Sequence, residues 1–375
     1  FLQRVSGDPR NNEYDRIFYR YGYVKPGVSV TYNKDDGVFL GARLEAQTHG
    51  FRKEPFSQRH VFNAGHALRT SSYFFTYDGD FTKAVGINDL LIRADLRAPV
   101  NVTNFFGIGN NTTYNRSLAG KGLQYYRARY NIGNLSVMLR RHLQSWMRIS
   151  YGPTFQFFHV NREQNKDKFL GREPLQYVDA ATLYNRKVYA GGEFRLDINS
   201  KNSETLPTRG FKLDAGAKQL FGLNATSRRL TQLHWDMSIF ASFTPRSIAV
   251  YAARLGWAKN IGAFEIPQAN YLSGTENLRG YRRNRFAGRE VLYNNLELRI
   301  RVAEFSTYLF PGSLGILLFN DVGRVWVDEE QSRRWHHGYG GGIWVAPIKR
   351  WVVTASVAHS REENLLPYVS VGFRF

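Results

Sequence analysis

Three stretches of this sequence hold side chains that could do chemistry. The loop "ENLRGYRRNRF", Glu276 to Phe286, crowds Arg279, Arg282, Arg283 and Arg285 around Gly280 and Tyr281. Guanidinium groups at that density recognise carboxylates or phosphates through paired N–H donors. A solvated surface loop would carry the same residues to no purpose, so the reading turns on whether the loop folds back into a polar cavity. "DEEQSRRWHHG" sets His336 and His337 beside Asp328, Glu329 and Glu330. That set could hold a metal, although a solvated loop is the plainer reading. His234 and Asp236 share one strand face, as a catalytic pair would, but no second acidic pair accompanies them. "GIGN", Gly107 to Asn110, lacks the strand, glycine fingerprint and helix that cradle a dinucleotide. No catalytic residue, metal or cofactor is expected, and the chain does not read as an enzyme.

The elements that must position these residues are strands. From Asn294, "NNLELRIRV" puts Leu296, Leu298, Ile300 and Val302 on one face, against Glu297, Arg299 and Arg301. "KVYAGGEFRLD", "QLHWDMSI" and "KLDAGAK" alternate in the same way, which is the period of a sheet with two unlike faces. The runs reach about ten residues, longer than the ~5–6 of soluble strands. Aromatics gather near their ends, as in "SSYFFTY", "LQYYRARY" and "TFQFFHV". Short connections ("RTS", "APVN", "LQS", "TPRS", "IKR") trade places with long polar ones, the longest spanning 161–186 and 259–293. Together these features predict an all-β, roughly 16-stranded antiparallel transmembrane β-barrel with a long loop folded into its lumen. Closure follows because an open sheet edge in hydrocarbon leaves backbone groups unpaired. The spacing places the barrel over 37–375, with spans that include 37–48, 102–112 and 366–375. Residues 1–36 are left as a periplasmic lead-in or linker.

Composition narrows the partners. The formal charge is +20 and Cys is absent, so disulfide and thiolate chemistry are excluded. No zinc-finger spacing, RNP motif or basic helical stripe supports nucleic acid as a partner. Anionic or phosphorylated lipid headgroups suit the scattered Arg and Lys better. No stretch approaches the ~18 apolar residues of a transmembrane helix, which does not bear on a barrel. The chain opens at Phe1 with no signal-peptide pattern, so a mature or trimmed portion of something longer is expected. The end is also informative. "LPYVSVGFRF" places Pro367, Val369, Val371, Phe373 and Phe375 on one face, like the C-terminal signal of bacterial outer-membrane barrels.

"LRGY", Leu278 to Tyr281, resembles the VRGF/Y motif of the Omp85 superfamily, the BamA-like surface-antigen barrels, with Leu in place of the leading Val. "NNLEL" supplies Glu297. "LFNDVGRVW" supplies Phe319, Asp321 and Gly323, like that family's F-x-D-x-G strand. "LPTRGFKL", Leu206 to Leu213, resembles its periplasmic turn. The resemblance implies that the loop tucks into the lumen and that Arg279 pairs with Glu297 and Asp321. Alternation faces Glu297 inward. Asp321 shares its parity with Leu317 and Phe319, so facing it inward places two apolar side chains beneath the loop.

The same resemblance implies a bacterial outer-membrane protein that inserts other barrels or translocates polypeptide. It would work through a seam between the first and last strands, read as Val38–Ala46 and Val369–Phe375. Client polypeptides and accessory lipoproteins would be its partners. POTRA domains are not visible in the chain. "THGFRKEPF" and "FFGIGNNT" resemble a subgroup whose barrel follows a metallophosphoesterase-like domain, which implies the alternative of an anchor or export barrel for an attached enzyme. A passive porin ranks below both.

Overall fold

The computed structural model describes residues 20–33, 37–50, 53–115, 117, 122–173, 179–306, 311–348 and 351–375. In chain order the strands are β1 (Tyr23–Asn33), β2 (Gly37–Gly50), β3 (Lys53–Ala67), β4 (Ser72–Val85), β5 (Asn88–Arg97), β6 (Val102–Asn104), β7 (Arg127–Gln144), β8 (Met147–Val160), β9 (Lys187–Asn199) and β10 (Gly210–Gly222). They continue as β11 (Leu230–Ala241), β12 (Ala249–Gly262), β13 (Asn270–Leu272), β14 (Phe286–Gly288), β15 (Glu290–Ser306), β16 (Pro311–Trp326), β17 (His336–Pro347), β18 (Val353–Ser360) and β19 (Leu366–Val371). No described helix is long and apolar enough to cross a membrane, a fact silent about strands.

Apart from β6, β13 and β14, the strands form a sixteen-strand antiparallel meander, each paired with the next from β1 to β19. It curves into the wall of a transmembrane barrel. Side chains alternate as two environments require. In β16, Leu314, Ile316 and Leu318 are exposed while Leu317, Phe319 and Asp321 are buried. Leu296, Ile343, Val357 and Val369 extend the outward apolar surface to neighbouring strands. Water would penalise so large an apolar belt; lipid does not.

Three expectations shift. The first wall strand is β1, inside the stretch read as a lead-in, so the barrel starts before residue 37. Pro26 interrupts the alternation of "YVKPGVSVTYN", and proline marks edge strands rather than central ones. Residues 1–19 lie outside the described residues. The predicted strand 102–112 shrinks to β6, because Gly107 and Gly109 take φ of 101° and 114° and Phe105 and Phe106 turn into buried clusters. These two differences cancel, so the count of sixteen stands on partly different strands. Finally, "RTS" and "APVN" sit at the long-loop end of the barrel, while "LQS", "TPRS" and "IKR" mark the opposite, short-turn end.

The long connections 98–126, 161–186 and 263–289 share the long-loop end. Phe105, Leu170, Leu183 and Ile266 bring all three into one apolar cluster with Tyr130 of β7 and Val160 of β8. The lumen is therefore covered from that end, and the third loop descends from the cover.

Candidate functional site: the lumen loop and its clamp

The loop between β12 and β15 is itself a small hairpin. β13 pairs with β14, Asn270 opposite Gly288 and Leu272 opposite Phe286. Its tip is a tight knot: the Ser273 carbonyl accepts N–H bonds from Glu276, Asn277 and Leu278, and the Asn277 side chain accepts the Ser273 N–H at 2.8 Å. Leu272, Leu278, Tyr281 and Phe286 then pack on Val291, Tyr293 and Val325 of the wall. Apolar residues thus seat the loop, and its arginines must find partners inside.

They do. Arg279 Nη1 donates to Glu297 Oε1 at 2.6 Å. Its Nε and Nη2 donate to the two oxygens of Asp321, both at 2.7 Å. The Arg279 backbone N–H also reaches Asp321, at 2.9 Å. Below, the guanidinium lies 3.7 Å from the Phe319 ring centroid, in the cation–π arrangement. Side-chain exposures are 3% for Arg279, 1% for Glu297 and 0% for Asp321. Burial alone would lower the pKa of Arg279; bonding and charge from Asp321, then Glu297, raise it above the ordinary value. Glu297 is shared, since Arg299 donates to its other oxygen at 2.7 and 2.9 Å.

Two of the remaining arginines hold the last hairpin. Arg282 pairs with Glu363 at 2.7 Å. Arg285 pairs in bidentate fashion with Glu362 and donates to the Thr112 hydroxyl and carbonyl. Arg283 accepts, through its carbonyl, a bond from the Asn104 side chain. Gly280, at φ 90°, donates its N–H to the Tyr368 hydroxyl at 3.0 Å and accepts the Ser360 hydroxyl at 2.5 Å. A Cβ on Gly280 would press on the His359 carbonyl.

The wall is shaped to receive the loop. A Cβ on Gly338 would overlap the Arg279 carbonyl, and one on Gly323 would meet Leu272. Gly323, noticed through its motif, therefore makes room for the loop hairpin. Gly338, Ser360, Glu362, Glu363, Tyr368 and Thr112 escaped the sequence reading. The run "GYGGG" after His337, which puts glycine at the successive inward positions 338, 340 and 342 of β17, was the available signal.

Other candidate residues separate. Val369 and Val371 face outward, but β19 ends at Val371 and Gly372 takes φ 95°. Phe373 and Phe375 therefore do not continue the lipid-facing row. They turn into the lumen, where their ring centroids lie 4.0 and 5.4 Å from the Arg299 guanidinium. His336 is buried rather than solvated, stacked 3.6 Å from Phe286, whereas His337 is exposed on the opposite face. Glu330 accepts the N–H groups of Asn110 and Asn111, and Asp328 pairs with Arg289. Among the described residues no three His or acidic side chains converge as a metal site. His234 pairs with Asp214 at 3.2 Å, while Asp236 is held by Arg254 and Tyr293. Both line a lumen cavity of about 430 Å³ beside Arg374 and Phe375.

Comparison with known proteins fits this geometry. The Omp85 superfamily domain matches residues 19–354. No curated protein sequence matches the chain. Among solved structures, BamA from Haemophilus ducreyi lacking POTRA domains 1–3 aligns with TM-score 0.65 at 14% identity, covering 94% of this chain and 70% of that one. CdiB from Escherichia coli aligns with TM-score 0.59 at 12% identity, over 93% of this chain and 61% of that one. CdiB from Acinetobacter baumannii gives 0.57 and 13%, over 93% and 59%. The chain thus spans about three-fifths of the CdiB structures. With the domain matched over most of its length, the chain belongs to the Omp85 superfamily of outer-membrane β-barrels.

Proposed function

We propose that this barrel handles other polypeptides, inserting outer-membrane proteins or passing a chain across the membrane, and that exchange occurs at the seam between β1 and β19. The observation that carries the reading is the shortness of the last strand. β18 and β19 pair over six residues, Val353–Ala358 with Leu366–Val371, where β1 and β2 pair over eleven. Beyond Val371 the chain leaves the wall for the lumen. A short terminal pairing exposes backbone donors and acceptors that an incoming strand can use by edge addition. The first partner of that seam is Tyr23–Asn33, not the Val38–Ala46 stretch, which belongs to β2. The clamped loop supports the same reading, since it occupies space that a passive pore would leave open.

The test uses the cysteine-free background. Val28→Cys with Val369→Cys, in the full-length protein, gives a crosslinkable seam. Oxidation should stop insertion of a reporter barrel into vesicles, and reduction should restore it. Full insertion by the completely crosslinked protein would rule out the seam.

A further inference from the structure

At the short-turn end two segments cross the mouth of the barrel, and a groove of about 350 Å³ lies between them. We propose that this groove holds an extended segment of the incoming polypeptide, carrying an aromatic and an acidic side chain, before that segment reaches the seam. The inference rests on the proposed function and deepens it. The first crossing segment is the connection from β9 to β10. Asn202 knots it, its side-chain carbonyl accepting the N–H groups of Thr208 and Arg209 at 3.0 and 3.1 Å. Beyond the knot, Leu206 packs on the cluster that holds Val352 and Trp344. Trp344 belongs to β17, five strand steps round the wall from β10. The second crossing segment follows Val371 and runs from β19 toward β11, where the Phe375 ring lies 6.3 Å from that of Phe240.

The lining says what fits. One side of the groove is apolar, built from Val371, Phe373, Phe375 and Trp351, which is 48% exposed. The other side is basic. Lys201 is taken by Glu204 at 2.8 Å, whereas Lys212 is exposed and has no ion-pair partner among the described residues, so an acidic side chain complements it. The backbone of the second crossing segment is also open. Among the described residues, nothing in the protein accepts the backbone N–H groups of Phe373, Arg374 and Phe375 or donates to the carbonyls of Phe373 and Arg374. An extended segment can take those groups by edge addition. The volume lies near the low end of the ~300–1,000 Å³ of ligand clefts, which admits a few side chains of such a segment and no folded domain. Val371 is the last residue of β19, so the groove opens at the foot of the seam and is continuous with it.

The probe is a short fluorescein-labelled peptide that alternates valine and threonine and carries one phenylalanine and two aspartates. A second peptide has lysines in place of the aspartates. Fluorescence anisotropy reads binding to the full-length protein in neutral-lipid nanodiscs. Wild type should bind the aspartate peptide about tenfold more tightly than the lysine peptide. Lys212→Glu should reverse that preference, and Trp351→Ser should weaken both peptides roughly fivefold. Lys83→Glu, at an exposed lysine of the same end outside the groove, is the control and should change neither. Unchanged heat-modifiable gel mobility shows that each variant is folded. The oxidised Val28→Cys/Val369→Cys protein separates the groove from the seam: it should bind the aspartate peptide as wild type does while failing to insert the reporter barrel. Equal affinity of wild type for the two peptides, or an unaltered preference in folded Lys212→Glu, overturns the proposal. Loss of binding on oxidation also overturns it, by placing the site in the seam itself. A groove already filled by another part of the chain would leave wild type without peptide binding, with the same consequence.

Discussion

The two halves of the lumen wall use the same side chains to different effect. In β4 and β5, Arg93 meets Asp78 at 3.8 Å with exposures of 44% and 56%, and Arg97 meets Asp95 at 3.2 Å with 42% and 34%. In β15 and β16, Glu297 and Asp321 have the same inward parity, yet almost no surface remains once the loop is seated. Facing the lumen is therefore not the same as being buried. Where the loop displaces water, the ion pair becomes a structural joint. Exposed pairs contribute ~0–1 kcal/mol, while breaking a buried pair strands a charge at ~3–5 kcal/mol.

Substitution can break this contrast, beginning at its strongest point. Arg279→Ala should cost ~3–5 kcal/mol, because Glu297 and Asp321 both lose a partner. The loss should appear as a lower temperature for the gel-mobility shift of the barrel and as protease cleavage within 263–289. Arg279→Lys should recover little, since one ammonium cannot serve two oxygens of Asp321 and reach Glu297 as the planar fork does. Wild-type thermal behaviour in Arg279→Ala would show that the clamp does not hold the loop.

Next comes the tie between the loop and the last hairpin. Glu363→Gln weakens the charge-assisted bond from Arg282 and should cost ~1.5–3 kcal/mol. Hydrogen exchange should quicken in β18 and β19 and stay unchanged in β15 and β16. Uniform quickening would mean that the hairpin is not separately tied. Gly338→Ala follows at ~1–3 kcal/mol. Its Cβ must push the Arg279 carbonyl away, so it should loosen the loop while every charged residue remains in place.

The same contrast explains what was legible in advance. Strand parity put Glu297 inward, and the "LRGY" and "FNDVG" motifs joined Arg279 to Asp321, because the clamp uses charged residues at marked positions. Contacts made by glycine and tyrosine left fainter traces. Gly338 matters for what it lacks, and Tyr368 looked like any alternating strand residue until Gly280 approached its hydroxyl. At the C-terminus, alternation continued past the point where Gly372 leaves the strand, so Phe373 and Phe375 were placed on lipid. Their actual neighbour, Arg299, lies about seventy-five residues away in sequence, a separation that no local pattern encodes. β1 failed for the converse reason: Pro26 broke a real pattern.

The weakest expected effect completes the contrast. Asp95→Asn removes the charge opposite Arg97 but leaves an amide of the same shape in a hydrated lumen. Water already screens both groups, so the cost should stay below ~1 kcal/mol. It should shrink further at high salt, because a Debye length of ~3 Å at 1 M screens exposed charges almost completely. The loss from Arg279→Ala should not respond to salt, since ions cannot enter the space between the loop and the wall. Thermal midpoints of the two variants at low and high salt therefore measure coverage directly. If Asp95→Asn destabilised the barrel as much as Arg279→Ala, the second half of the lumen would also be sealed, and the distinction drawn between the two halves would be wrong.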